Sequence, residues 1–218
     1  MKHHYVHRYA LVGLMIGFGL SGAASAKTIQ FTVPIEAQQA FPEPVPLSDA
    51  SGTAKFTLNL PDNPAEKPTL DFFFQFDGLD LGNMHGFITD RQTPDPLDDV
   101  TAVHIHNGAP KSSGPRFLGI VNPRDDFFDV DVDIPNSTIS GTWDDDPVTP
   151  FSEALDELLA GQLYLNIHTD RNADSDIRAQ ILIPMPEPAT LGLCAVFLAL
   201  LPFCRRRKAR LARRSASS

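Results

Sequence analysis

The sequence predicts an all-β fold, an antiparallel β-sandwich with Greek-key-like connections and one short helix. Eight or nine short stretches alternate apolar and polar residues at period two, the pattern of a strand with one buried face. Turn-forming Gly, Pro, Asn and Asp separate these stretches, as in sandwich domains. Only one stretch has the spacing of an amphipathic helix. We also expect a signal helix before this domain and a transmembrane helix after it.

The first three predicted strands cover residues 28–35, 50–60 and 69–76. The third has one wholly apolar face, which predicts a central position in the fold. That face consists of Leu70, Phe72, Phe74 and Phe76. Residues 82–99 follow; they are rich in Gly, Pro and Asp, contain His85, and predict an irregular loop.

Six further strands and the helix make up the second half of the domain. The strands are expected at residues 101–108, 116–121, 127–134, 138–143 and 163–169, with a last one at 177–183. The helix is expected from Thr149, a capping residue, with Pro150 at its first position, and Gly161 stops it. Its apolar face holds Phe151, Ala154, Leu155, Leu158 and Leu159.

Residues 1–26 have the form of a secretory signal peptide. Residues 1–8 are basic, residues 10–20 are apolar, and residues 24–26 form the small-x-small site that signal peptidase cuts. The alternative, a retained anchor, is disfavoured because the apolar run is too short to span a membrane. We expect a mature chain that begins at Lys27.

Residues 186–218 have the form of a second processing signal. Pro186, Glu187 and Pro188 precede an apolar run at 189–204, which predicts a short transmembrane helix. A helix of about sixteen residues rises roughly 24 Å, less than the ~30 Å hydrocarbon core. This length suits a temporary anchor, and a permanent anchor that is never cut is the alternative.

An arginine cluster that starts with Arg205, Arg206 and Arg207 completes this tail. Clustered cations hold a terminus in the cytoplasm, so the upstream domain is expected on the outer side. The tail resembles the PEP-CTERM sorting tail of Gram-negative bacteria. The resemblance implies an exosortase that cleaves at Pro-Glu-Pro, transient anchoring in the inner membrane, and delivery to the cell surface or extracellular matrix.

The expected exported domain is strongly acidic. Residues 27–188 hold nine Lys and Arg against all 27 Asp and Glu, a net charge of −18. Such a charge repels phosphate backbones, which argues against nucleic-acid binding, and attracts cations or basic partners. Both cysteines, Cys194 and Cys204, lie in the tail, so a domain of residues 27–185 has no disulfide and depends on its core.

Three histidines on two predicted strands are candidate metal ligands. In residues 101–108, His104 and His106 share the polar face of a strand, where neighbouring side chains are roughly 6.6 Å apart. In residues 163–169, His168 has the equivalent place. Neutral imidazoles favour zinc or copper. We predict a site of this kind, completed by an Asp, Asn166 or His85. The alternative is a hydrogen-bonded polar cluster with Thr101, Asn166 and Thr169 that fixes strand register.

An acidic turn before the last strand is a candidate calcium site. Asp170, Asn172, Asp174 and Asp176 alternate like the start of a calcium-binding loop. Ser175 occupies the place of the required Gly, and no bidentate Glu follows, so this is not an EF-hand. A looser calcium site is one interpretation, and a solvated acidic loop is the other.

Five segments align in order with the chordin-type (CHRD) domain. They are residues 51–54, 101–108, 158–161, 164–169 and 177–181. The chain resembles this family over residues 31–183, and it departs at Ser175-Asp176 and Ala179, where Gly-Glu and Gly are usual, and in a longer 82–99 loop. The resemblance implies an extracellular β-sandwich that works as a binding or interaction module. It supplies no catalytic residue.

The expected function is therefore that of a noncatalytic, surface-sorted binding or matrix module. An extracellular polysaccharide or a protein is the expected partner, besides the signal peptidase and exosortase that process the chain. No Gly-x-Ser-x-Gly motif, phosphate loop or catalytic cysteine supports an enzyme. The alternative is a zinc- or copper-binding protein or metalloenzyme. The His-x-His strand is similar to that of copper-zinc superoxide dismutase, but four histidines in residues 27–188 are too few for its two-metal site.

Overall fold

The computed structural model describes residues 26–43, 47–82, 84, 90–122, 125, 129–145 and 148–184. In these ranges the chain forms nine strands and one α-helix, which confirms the all-β prediction. The strands are β1 (Lys27–Glu36), β2 (Ser51–Leu60), β3 (Thr69–Asp77), β4 (Val100–Asn107), β5 (Arg116–Val121), β6 (Asp131–Asp133), β7 (Thr138–Trp143), β8 (Leu163–Thr169) and β9 (Ile177–Gln180), and the helix is α1 (Phe151–Leu159).

Every pair of neighbouring strands is antiparallel, in the order β5-β4-β8-β9-β1-β2-β3-β7-β6. Strands β1, β2 and β3 follow one another as hairpin neighbours, and β9 returns through a long connection to lie beside β1. These four strands have the spatial order of a Greek key, but five other strands lie between β3 and β9 along the chain. Strands β1 and β9 pair at one position, Glu36 with Arg178, and this narrow pairing joins two halves of the sheet.

The sheet folds over on itself. Strands β5 and β7 are seven steps apart in the strand order, which in a flat sheet would separate them by about 34 Å. The rings of Phe117 on β5 and Trp143 on β7 nevertheless lie 5.8 Å apart, centroid to centroid. The two halves of the sheet therefore face each other like the layers of a sandwich.

One hydrophobic cluster fills the space between the two layers. The apolar face predicted for the third strand is confirmed, since Leu70, Phe72, Phe74 and Phe76 are all buried. The ring of Phe72 stacks on that of Phe74 at 4.9 Å, and Phe31 of β1 stacks on Phe56 of β2 at 5.2 Å. Aromatic contacts along β3 and between β1 and β2 thus stabilise the half of the sheet that lacks the histidines.

The helix begins one residue later than predicted. Pro150, expected at the first helical position, occupies the capping position instead, and Thr149 does not cap. Asp145 takes that role from the preceding loop, because its carboxylate accepts hydrogen bonds from the backbone N–H of Ser152 at 2.7 Å and from the Ser152 hydroxyl at 2.8 Å. Gly161 adopts φ +68°, a left-handed conformation that ends the helix as expected. Leu159, expected on the buried face, is 51% exposed.

Three other predicted elements differ from the observed ones. The strand predicted at 127–134 is limited to Asp131–Asp133, although Val130, Val132 and Ile134 pack against the core as expected. The last strand ends at Gln180 instead of residue 183. The predicted loop at 82–99 contains a short 3-10 turn at Pro96–Asp98. Short edge strands and turns carry weak periodicity, so their limits are hard to read from sequence.

The predicted leader and tail fall almost wholly outside the described residues. Of the predicted signal peptide at residues 1–26 only Ala26 is described, and the predicted sorting motif, apolar run and arginine cluster at 186–218 lie wholly outside the described residues. Among the residues that are described, no helix has the length and apolar character needed to cross a membrane. His85 also lies outside the described ranges.

Candidate metal centre

Strands β4 and β8 bring the three predicted histidines together. The two strands pair antiparallel, with His104 opposite Asn166 and His168 opposite Ala102. Val103 and Ile105 are fully buried on the core side, so the predicted alternation of faces along β4 is confirmed. The register therefore puts all three imidazoles on the same face of the sheet, away from the apolar core.

The three rings form a compact triangle. The ring centroids of His104 and His106 are 5.6 Å apart, those of His104 and His168 are 5.0 Å apart, and those of His106 and His168 are 6.2 Å apart. One nitrogen from each ring lies within 4.8 Å of the other two. Ligands of a tetrahedral zinc ion are about 3.3 Å apart, a separation that this limit allows.

Local irregularity and small residues make room for this triangle. The pairing of β4 with β5 shifts between Val103 and His104 and again between Ile105 and His106. Such bulges redirect side chains and occur often at functional sites. The residue opposite His104 on β5 is Gly119, and the residue opposite His168 on β4 is Ala102. Neither partner carries a side chain large enough to fill the space above the sheet.

Each ring is anchored through one nitrogen to a backbone carbonyl. His104 Nε2 lies 2.8 Å from the carbonyl of Asn122, His106 Nδ1 lies 2.9 Å from that of Gly114, and His168 Nδ1 lies 2.7 Å from that of Ala173. A carbonyl only accepts, so each of these nitrogens carries the proton. The bare nitrogens are therefore His104 Nδ1, His106 Nε2 and His168 Nε2. Metal-ligating histidines are held in the same way.

The bare nitrogens differ in their surroundings. His106 Nε2 is buried and has no hydrogen-bond partner among the described residues. His168 Nε2 accepts a hydrogen bond from the side-chain amide of Asn166 at 3.2 Å. A buried acceptor without a donor is unfavourable, and a metal ion is one ligand that removes this cost.

Burial keeps all three rings neutral. It lowers the pKa of His104 to about 4, against the opposing effect of the hydrogen bond to Asn122. Burial also lowers the pKa values of His106 and His168. The positive charge of Arg116 adds to the effect on His104 and His106. Neutral imidazole is the form that binds a metal ion, so the site is prepared for coordination at neutral pH.

The face that carries the histidines is covered, although its residues were expected to point outward. Tyr164 is 3% exposed and Asn166 is 4% exposed. The ring of Tyr164 stacks on that of His106 with centroids 5.1 Å apart. The guanidinium carbon of Arg178, a residue of β9, lies 3.4 Å from the centroid of the Tyr164 ring. Arg178 also donates to the carbonyls of Ser112 and Ala109, which holds the β4–β5 loop over the site.

The chain matches the family model of the CHRD domain over residues 31–181, more than two-thirds of its length. It belongs to the CHRD domain family. The matched range starts at residue 31, as predicted, and ends two residues before the predicted end at residue 183. No curated protein and no solved structure matches the chain. Membership of the CHRD family indicates an extracellular module of the binding type.

The predicted calcium residues of this CHRD domain do not converge as the histidines do. Two groups of three described side chains have ligand atoms within 4.8 Å of one another, and neither group includes Asp170, Asp174 or Asp176. Asp176 is buried, and its carboxylate accepts hydrogen bonds from the Ser48 hydroxyl at 2.8 Å and from the side-chain amide of Asn172. Its observed contacts connect the turn to the segment before β2.

A second acidic group in the CHRD domain was not predicted. Asp80, Asp98 and Asp99 bring carboxylate oxygens within 4.8 Å of one another. Asp80 accepts from the backbone N–H groups of Gly82, Gln92 and Thr93, Asp98 accepts from the Thr93 hydroxyl, and Asp99 is paired with Arg91. These contacts organise the long loop at 82–99.

Sequence reasoning about the CHRD domain missed the residues that support the histidines. The carbonyls of Gly114, Asn122 and Ala173 carry no residue-type signal, since every residue has one. Arg178 did carry a signal, because the alternation of side chains along β9 places it with Gln180 on the polar face of that strand. An arginine on a strand is usually solvated, and the burial of Arg178 depends on a loop that is distant in sequence.

Proposed function

We propose that this CHRD domain is an exported, noncatalytic binding module of the cell surface or exopolysaccharide matrix of a Gram-negative-type bacterium. Family membership supports a binding module, and the acidic charge of residues 27–188, −18, supports a partner with cationic groups or bound cations. Signal peptidase would remove residues 1–26. The tail would hold the chain in the inner membrane until an exosortase cuts near Pro186, Glu187 and Pro188.

The sorting part of this proposal is tested by mass spectrometry of protein recovered from the cell surface. We expect a chain that starts at Lys27 and lacks Arg205, Arg206 and Arg207. Replacing both Pro186 and Pro188 by Ala is expected to keep the chain in the membrane, while Pro184→Ala, just upstream, serves as the matched control. An intact arginine-rich end on surface protein would contradict cleavage.

The binding part is tested by fractionation. The protein is expected in the extracellular matrix fraction, and raised NaCl is expected to release it because salt screens the interaction of an acidic domain with cationic groups. Retention in the cytoplasm, or a matrix fraction without the protein, would contradict the proposal.

A second candidate function is the binding of one zinc or copper ion by His104, His106 and His168. It is favoured by two observations: one nitrogen from each of three neutral imidazoles lies within 4.8 Å of the other two, and His106 Nε2 is buried without a partner among the described residues. Three histidines leave the fourth position of a tetrahedral ion open. That arrangement serves either as a binding site for an external ligand or as the basis of a metalloenzyme.

The test is metal analysis of the full chain purified in detergent. We expect one zinc or copper ion per chain and its loss in His104→Ala and His168→Ala. Asp98→Asn, in the acidic group formed with Asp80 and Asp99, is the matched control and is expected to keep the ion. Absence of stoichiometric metal after loading with zinc and with copper would remove this candidate.

A further inference from the structure

Asn166 occupies a position between the histidines and the turn at 173–175. Its side chain is buried, with 4% exposure. The amide nitrogen donates to the carbonyl of Asp174 at 3.1 Å, and the amide oxygen accepts from the hydroxyl of Ser175 at 2.5 Å. Because the Asp174 carbonyl accepts only, it fixes which end of the amide is the nitrogen. The second N–H of that nitrogen is therefore directed at the histidines.

That second N–H reaches the nitrogen that a metal ion needs. It donates to His168 Nε2 at 3.2 Å. The other nitrogen of the same ring, Nδ1, is bound to the carbonyl of Ala173, so it carries the proton and has no lone pair for a metal. A metal ion that includes His168 in its coordination must replace the hydrogen bond from Asn166.

The centre also has no acidic ligand. The group of converging side chains contains histidines alone among the described residues. Arg116 acts on His104 and His106 with a positive charge, and Asp174 acts on His168 with a negative one. A divalent ion would therefore be held by three neutral ligands. A carboxylate in the place of the Asn166 amide would remove the competing donor and add an opposite charge beside the ion.

We propose that Asn166 sets the metal affinity of the three-histidine centre by competing with the ion for His168 Nε2. This inference rests on the proposed binding of zinc or copper. It predicts that a change at a residue that is not itself a ligand increases affinity. A purely structural role for Asn166 predicts the opposite, because loss of its hydrogen bonds loosens the turn that anchors His168.

The test compares Zn²⁺ and Cu²⁺ affinities of the full chain with those of Asn166→Asp, by competition with a chromophoric chelator. Asn166→Asp is expected to bind at least tenfold more tightly. Asn166→Ala, which removes the donor without adding charge, is expected to bind about fivefold more tightly. Ser175→Ala removes the hydrogen bond on the other side of the amide and is the matched control, with affinity within twofold of the original.

The outcomes separate this inference from the proposed function. Metal bound by the original chain and lost in His104→Ala, without a gain in either Asn166 variant, overturns the role of Asn166 and leaves the centre in place. Tighter binding in Asn166→Ala as well as in Asn166→Asp supports the competition, whereas a gain confined to Asn166→Asp reports the added carboxylate and overturns it. Absence of binding in every form overturns both. Circular dichroism of each variant establishes that it is folded.

Discussion

At the scale of single residues, the chemistry of the domain depends on buried and half-buried groups whose partners are backbone carbonyls. The three imidazoles are anchored by Asn122, Gly114 and Ala173, and the guanidinium of Arg178 is held by Ser112 and Ala109. No carboxylate lies within 4.0 Å of Arg178 among the described residues. Burial without a counter-ion makes these residues sensitive to any change of charge or shape.

Acid is expected to destabilise the domain through His104. Its pKa is about 4 in the folded protein and about 6.5 in the unfolded chain. Because the unfolded chain binds this proton more tightly than the folded protein does, lowering the pH favours unfolding. The contribution of His104 to stability is fully present above pH 6.5 and decreases as the pH falls from 6.5 towards 4. The expected loss is on the order of 2–3 kcal/mol.

This loss is measured by urea unfolding between pH 7 and pH 4, for the original chain and for His104→Gln. Carboxylates titrate in both proteins, so the difference in unfolding free energy isolates the imidazole. The original chain should lose more stability than the variant over this range. Equal losses in the two proteins would contradict a buried, neutral His104.

Arg178→Lys is expected to destabilise the domain by about 2–4 kcal/mol. Lysine keeps the charge but has no planar fork to reach Ser112 and Ala109 together, and no flat face to lie on Tyr164. The measurement is the midpoint of urea unfolding. Arg171→Lys is the matched control, since its ion pair with Asp95 is 46% exposed on the aspartate side and is worth less than about 1 kcal/mol. A neutral Arg178→Lys would show that the loop is held by other contacts.

At the scale of elements, the loops carry as much of the architecture as the strands. The carboxylate of Asp80 collects three backbone N–H groups of the 82–99 loop, and that of Asp145 binds the first turn of the helix. Both residues lie just outside regular structure. The carboxylate of Asp80 accepts from loop N–H groups, and that of Asp145 accepts from an N–H group at the start of the helix, where the helix itself offers no acceptor.

Asp145→Ala is expected to cost about 1 kcal/mol, the usual effect of removing a helix cap. The carboxylate of Asp145 binds the N–H and hydroxyl of Ser152. Asp144→Ala is the matched control, because Asp144 contacts Phe151 through its backbone carbonyl, which alanine retains. Thermal unfolding followed by circular dichroism measures both. Similar melting temperatures for the two variants would argue against the cap.

At the scale of the whole molecule, closure of the sheet into two layers creates the shared core. Phe117 and Trp143 meet across the layers, and Trp143 also packs on Phe151 of the helix, with centroids 5.2 Å apart. Trp143 is fully buried and is the one tryptophan of the sequence. It therefore reports on the packing of both layers and the helix at the same time.

Phe117→Ala is expected to lower the unfolding free energy by about 2 kcal/mol, less than for a fully buried phenylalanine because Phe117 is only partly buried. Tryptophan emission should shift to longer wavelength at the same urea concentration at which circular dichroism changes, since one core joins the layers. Phe73→Ala, whose ring is 37% exposed, is the control with a smaller effect. Separate transitions for the two signals would indicate layers that unfold independently.

Alternation predicted most of the fold because burial of one strand face leaves a direct trace in the sequence. The central strands β3, β4 and β8 were predicted within one or two residues at either end. The strand β6 was predicted too long, since an edge strand is limited by pairing with one neighbour and not by its own pattern. The cap at Asp145 was missed because it acts across an intervening loop.

The sequence by itself determined the strand faces, the family, the acidic charge and the place of His104, His106 and His168 on polar faces, because all of these are local properties of residue type and spacing. Tertiary structure alone decided that the three rings meet, that a loop and Arg178 cover them, and that Asn166 contacts the bare nitrogen of His168. These features depend on the register between strands that are about sixty residues apart and on carbonyls that every residue possesses. Strand pairing and loop placement, which come from the packing of the complete chain, therefore convert a pattern of histidines into a site in which the protonated nitrogen of each ring is defined.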